Sequence, residues 1–432
     1  MKNIFIILLV LGLYASCTID EQIDPNAPSL NSVETDASIT ELNLLVTGIE
    51  SSMRNGYGTY VDGSGSIARE MYKFDADPRN TEDLLGKEGT ALDNNTFYLT
   101  APYNSRYRAI KNANILLGAL ENTSSVTDQE KNGYRGYANT IKALMYAQVL
   151  NMLDDNGIRF DVADPVNLGP FIDKSTAYTQ ISGLLSEART QLSNGVFIFS
   201  LSAGFAGFDT PSTFSQFNSA VAARLATNQG DFSEAKSHLP GSFMDKGGDI
   251  SIGPKHIFST GSGDQTNPLY KVPGENGDQL VVHNDVIASI ESGDDRISKF
   301  RLRANPTSLD GLNGTHEIAL YSSVESSIDI IRNEELILIS AEANINTDDL
   351  AGAVSDLNII RTAHGLADYS GAMTKEALID EMLHQRRYSL WGEGHRMWDL
   401  RRYGRLNDQF VPVDRSGDII HVKFPIPLTE NQ

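Results

Sequence analysis

"RRYSLWGEGHRMWDLRRYG", Arg386 to Gly404, gathers five arginines, one histidine, one glutamate, one aspartate and both tryptophans of a 432-residue chain. A catalytic reading needs a nucleophile with a base, or paired carboxylates. Glu393 and Asp399 are the only carboxylates in the stretch, and His395 is its only imidazole. No HExxH, GxSxG or GxxxxGK[ST] run and no Cys/His metal spacing occurs in the chain. The arginines, with Arg405 just beyond, outnumber the acids and should seek Glu381, Glu393, Asp399 and helix C-termini. A planar guanidinium satisfies several acceptors at once, which suits it to pinning helices together. The expectation is scaffold: Arg386, Trp391, Glu393, Arg396, Trp398, Asp399 and Arg401 hold structure. No enzyme, cofactor or metal is predicted.

Upstream, the apolar pattern is helical. Tyr137, Ala138, Ile141, Leu144, Met145, Val149 and Met152 form one stripe within 130–153. Tyr107, Ile110, Ala113 and Leu117 do so within 103–120, and Ile181, Leu184, Leu185, Ala188 and Leu192 mark a third helix. "ATNQGDFSEA" (226–235) and "NINTDDLAGA" (344–353) look alike, each lying between two helical runs with small residues at fixed offsets. That is the requirement of a close antiparallel helix pair, and the arrangement resembles tetratricopeptide-type units. Leu350, Ala353, Val354, Leu357 and Ile360 continue the second pair, with Gly365 predicted as its C-cap. Residues 51–100 and 240–330 are instead loop-rich. Long loops in a compact chain are where ligands are expected.

The net charge of −21 argues against nucleic acid, which needs clustered Lys and Arg. Ile4 to Leu13 is apolar but too short to span a bilayer, which takes about 20 residues. It leads into "LYASC", ending on Cys17, the only cysteine. This resembles a bacterial lipobox, although Tyr14 departs from the usual aliphatic residue, and acylation of Cys17 would supply enough buried methylenes to anchor the chain. The acidic "TIDEQID" that follows resembles the export tag of Bacteroidetes-type surface lipoproteins. The expected organisation is a signal peptide at 1–16, a lipidated tether at 17–38 and a single domain at 39–432.

The C-terminal stretch, taken as "QRRYSLWGEGHRMWDLRRYG", resembles the closing pattern of the SusD/RagB family, in which an ER-x-x-EL run leads into EGHR-x-x-DLRR. "EELILISAEANINTDDLAGAVSDLNIIR" resembles its preceding helix pair, "VKFPIPLTE" its closing PIP-x-x-E, and "YRAIKNANILLGAL" its N-terminal helix. Gln385 and Ser389 stand where glutamates are usual, and the chain is short for the family. The resemblance implies a mainly α fold with four tetratricopeptide-like helix pairs carrying an irregular, loop-built ligand face. It further implies a cell-surface lipoprotein of the outer membrane. Such a protein captures an oligosaccharide and passes it to a SusC-like TonB-dependent transporter.

A neutral glycan is held by aromatic rings under its CH faces and by fixed polar groups on its hydroxyls. Candidates in the first loop-rich segment are Tyr57, Tyr60, Arg69, Tyr72 and Phe74, flanked by Asp75, Asp77 and Arg79. Those in the second are Tyr270, Lys271, Asn276, Arg296, Arg301, Arg303 and Tyr321. Period-2 alternation from Met71 leaves open that Tyr72 and Phe74 are instead core residues of a strand. "LDDNG" and "SGDDR" lack the oxygen-ligand spacing of a calcium loop. No tryptophan falls in either loop-rich segment, which keeps a peptide ligand of the RagB kind as an alternative. A tetratricopeptide-type protein that only assembles envelope partners is the other.

Overall fold

The structure, a computed structural model, describes residues 30–431. Cys17, the expected signal peptide and most of the expected tether lie outside the described residues. The chain is mainly helical. A short helix α1 (Leu30–Asp36) leads into α2 (Ile39–Arg54) and α3 (Tyr57–Ile67). Ser38 and Glu41 close a reciprocal capping box at the start of α2. Then come α4 (Phe97–Asn122), α5 (Asp128–Leu153), α6 (Lys174–Ser193), α7 (Pro211–Gln229) and α8 (Phe232–His238). After the short α9 (Asn284–Ser289), the C-terminal part supplies α10 (Asn333–Asn346), α11 (Leu350–Ala363), α12 (Lys375–Ser389) and α13 (Arg396–Arg402). Successive helices pack side by side: α4 on α5, α5 on α6, α6 on α7, α7 on α8, α8 on α10, and α10 on both α11 and α12.

The two look-alike segments are the turns α7–α8 and α10–α11. Each is capped by an aspartate: Asp231 accepts from the Glu234 amide and Asp349 from the Gly352 amide, both at 3.0 Å. Gly365, at φ +75°, follows the end of α11, and the next amide, Leu366, bonds back to the Arg361 carbonyl.

The loop-rich segments hold more regular structure than their composition suggests. "YGTYVDGSGSI" is helix α3 despite three glycines, because packing outweighs propensity there. A Cβ on Gly58 would lie 2.7 Å from Pro268, so only glycine lets that loop approach. Four antiparallel strands form a sheet in the order β1-β2-β4-β3. They are β1 (Met71–Asp75), β2 (Asp278–Val282), β3 (Phe300–Leu309) and β4 (Leu312–Ile318). The β3–β4 hairpin turns on Asp310 and Gly311, both at positive φ, as a two-residue turn requires. The largest apolar core runs from Val33 through α2–α7 to Phe424.

Candidate functional site

The sheet brings the two loop-rich segments together. Lys73 pairs opposite Leu280, and Asp75 opposite Asp278. Alternation along β1 buries Tyr72 and Phe74 on one side and leaves Lys73 and Asp75 half-buried on the other. Two carboxylates facing each other across strands repel unless cations stand between. Lys271 Nζ lies 2.7 Å from both Asp278 oxygens, and Lys73 Nζ lies 3.0 Å from Asp62 and 4.0 Å from Asp75. Desolvation opposes the Lys73 charge, yet Asp62, Asp75 and Asp278 hold its ammonium above the ordinary lysine range. Burial lifts the Asp62 carboxyl, and Lys73 only partly offsets it.

Phe97, the first residue of α4, lies beside this cluster. Two cations stand near its half-buried ring, Arg79 at 5.1 Å and Lys73 at 5.8 Å from the centroid. Arg79 is itself oriented by two bonds to Asp77, at 2.9 and 2.6 Å, and by Thr96 at 2.8 Å. The other rim is the loop 272–277, held from below. Arg303, buried against Glu317, donates to the Glu275 carbonyl and at 2.9 Å to Asn276 Oδ1. Glu317 accepts the Gly274 amide at 2.9 Å. Arg301 reaches the same carboxylate at 3.3 Å and stays 39% exposed. The result is a ring and several charged groups fixed in orientation, with their heads at the surface.

Of the eight expected ligand residues, Tyr270 and Arg301 border this rim. The others require correction. Tyr57 and Tyr60 are 5% and 6% exposed and pack under Arg106, whose guanidinium carbon lies 5.6 and 5.0 Å from their rings. Arg69 is fully buried, donating to Asp414 at 2.8 Å and to the Leu85 carbonyl at 2.9 Å. Tyr72 is a core strand residue whose hydroxyl donates to the same Asp414 at 2.7 Å. Arg296 is buried against Asp294, Gln385 Oε1 and Ser389 Oγ at 2.7–2.8 Å. Gln385 and Ser389, the two departures from the family pattern, are thus acceptors for one buried guanidinium. Tyr321 is half-buried against the main core. None of these six presents an open ring or a free guanidinium. Sequence reading passed over Lys73, Phe97, Asp278 and Glu317, although the polar phase of "MYKFD" pointed to Lys73.

The arginine-rich stretch is interior. Arg386 Nε bonds Asp399 at 2.8 Å, and Arg402 bridges Asp399 at 2.8 Å and Glu342 at 2.7 Å. Trp391 is wholly buried, edge-on to Phe300 at 4.8 Å. Glu393 pairs with Arg332 at 2.9 Å, and burial still raises its carboxyl to about 7. Arg396 donates to the Leu383 carbonyl at 3.0 Å. Arg401 lies 5.0 Å over Trp398 and donates to the Asn151 carbonyl at 2.9 Å. Burial pushes His395 down to about 4, so it is neutral at physiological pH. Among the described residues no group of three His, Cys, Asp or Glu side chains could hold a metal ion.

Residues 299–425, which contain this interior stretch and both strands of the hairpin, match the SusD family model. Over that segment the sequence is similar to the SusD family, and over nearly all the chain the fold is that of solved SusD superfamily proteins. A SusD superfamily protein from Bacteroides vulgatus superposes with a TM-score of 0.70 at 18% identity, covering 91% of this chain and 96% of that one. A SusD-like carbohydrate binding protein from the same organism gives 0.66 at 16% identity, covering 85% and 84%. Surface glycan-binding protein A from Bacteroides thetaiotaomicron, in complex with laminarihexaose, gives 0.72 at 15% identity, covering 91% and 97%. At these identities the likeness establishes fold. No curated protein matches the sequence.

Proposed function

We propose that this SusD-type chain binds a neutral oligosaccharide at the sheet rim and delivers it to a SusC-like TonB-dependent transporter. In this reading Cys17, acylated, anchors it to the outer face of the outer membrane. No helix among the described residues is long and apolar enough to cross a membrane, so anchoring would rest on that lipid. The protein binds and does not catalyse.

The observation that carries the ligand class is the charge balance around Phe97. The carboxylates Asp62, Asp75, Asp77, Glu275, Asp278 and Glu317 number six, and the cations Lys73, Arg79, Lys271, Arg301 and Arg303 number five. A rim with no surplus of cations, rich in oriented donors and acceptors, suits a polyhydroxylated, uncharged ligand, and the ring offers a face for sugar CH groups. An acidic polysaccharide would need unpaired cations.

Native affinity electrophoresis against β-1,3-glucan, galactomannan and xylan tests the reading. Phe97→Ala and Lys271→Ala should each weaken retardation severalfold while leaving the fold intact. Retention of a peptide library with no retardation by any glycan would replace this reading with the RagB-type one. Co-purification of a large β-barrel from native membranes tests the transporter separately.

A further inference from the structure

We infer that a groove along the far side of α4 is a second subsite for the same class of neutral glycan; this rests on the reading just given. Tyr103, Tyr107, Lys111, Ile115 and Gly118, spaced by four, four, four and three residues, form one stripe of the helix. They floor a cleft of about 560 Å³, whose other wall is the segment 159–168. The stripe extends about 22 Å at 1.5 Å per residue. Phe97 lies six residues before Tyr103, so the groove starts about 240° around the helix from the sheet rim at 100° per residue. The two surfaces are separate.

The floor is pre-set. Tyr107 donates its hydroxyl to the Arg159 carbonyl at 2.7 Å, and its ring packs 4.7 Å from that of Tyr103. Tyr103 in turn donates to Glu430 at 2.9 Å, and Glu430 is ion-paired with Arg159 at 2.8 Å. Tyr103 is only 2% exposed and backs the half-buried Tyr107, the ring that the groove presents; so held, Tyr107 loses little ordering entropy on binding. Pro165 and Leu168, the latter 48% exposed, face them across the cleft. Lys111 has no acidic partner and Asn104 makes no hydrogen bond among the described residues, so both are free to meet hydroxyls.

Gly118 is the second observation. Glycine in a helix interior costs roughly 0.5–1 kcal/mol relative to alanine. Here a Cβ would meet nothing within 4 Å, so packing gives no reason for it. Its effect is to leave the groove floor open. A peptide is disfavoured because the helix spends its backbone groups internally and offers no ladder to an extended main chain. A glycan is read by ring faces and side-chain donors, which this groove has.

The test uses the full chain in native gels containing the same β-1,3-glucan, galactomannan and xylan. Gly118→Trp fills the groove at an exposed helix position, and thermal melting should show the fold unharmed. The expected result is at least fivefold weaker retardation in Gly118→Trp and in Tyr107→Ala, with Phe97→Ala weakening it independently. Gly118→Trp migrating as wild type while Phe97→Ala abolishes retardation would overturn the groove and leave the sheet rim standing. Loss of peptide-library retention in Gly118→Trp, without change on any glycan, would also overturn it. No retardation of the wild-type chain on any glycan would remove both.

Discussion

The arginine-rich interior and the sheet rim are built from the same side chains and end in opposite roles. In the interior, Arg386 and Arg402 share Asp399 and Glu342, all less than a tenth exposed, and every charge is closed off by another. At the rim, Arg79 and Lys271 pair with Asp77 and Asp278 at the surface beside a half-buried ring, and Arg301 reaches from the surface to the buried Glu317. Burial, rather than residue type, separates the scaffold from the proposed binding surface. A buried pair is expensive to break because the remaining charge has no water; an exposed one contributes little to stability and stays available to a ligand.

The comparison breaks most visibly at Arg386. Arg386→Ala should destabilise the fold by about 3–5 kcal/mol, since Asp399 loses one of its two bonded cations in a dry site. Denaturant unfolding measures it, and a double-mutant cycle with Arg402→Ala should show strong coupling. A loss below 1 kcal/mol would mean that the interior network behaves like the rim.

Glu70 gives the next effect. It is buried, and desolvation raises its carboxyl to about 8, with one oxygen unpartnered. A carboxyl that keeps its proton when folded and sheds it when unfolded makes stability fall as pH rises from about 4.5 to 8. The slope is about 1.4 kcal/mol per pH unit. Glu70→Gln should flatten this slope and raise the melting temperature at pH 8. An unchanged pH profile would show that Arg387 and Arg396 keep Glu70 ionised.

Arg303 sharpens the boundary, because it is a buried residue beneath the rim. Arg303→Ala should release the 272–277 loop and weaken glycan retardation about tenfold, near 1.4 kcal/mol. Arg301→Ala, acting on the same Glu317 from the exposed side, should change it less. Equal effects would mean that the loop is held by neither.

The helical stripes of 103–120 and 130–153 were legible in the sequence because their apolar phase is set by one residue's neighbours three and four places away. The structure extends them only to Phe97–Asn122 and Asp128–Leu153. The paired turns at 226–235 and 344–353 were legible for the same reason, through their capping aspartates. The site was legible only in part. Tyr57, Tyr60 and Arg69 lie in a glycine-rich run that reads as loop, yet tertiary packing makes it a buried helix and the turn after it. Tyr270, Lys271 and Asn276 lie in a Gly- and Pro-rich stretch that reads as loop and is loop in the structure.

By itself the sequence determined the helix periods, the C-terminal family pattern and the empty list of catalytic motifs, all of which depend on short spacings along the chain. Tertiary structure decided which charged and aromatic residues are dry. Asp75 meets Asp278 and Arg69 meets Asp414 across hundreds of residues. Neither pairing has a local signature, because burial is a property of what folds back over a residue and not of the residues beside it.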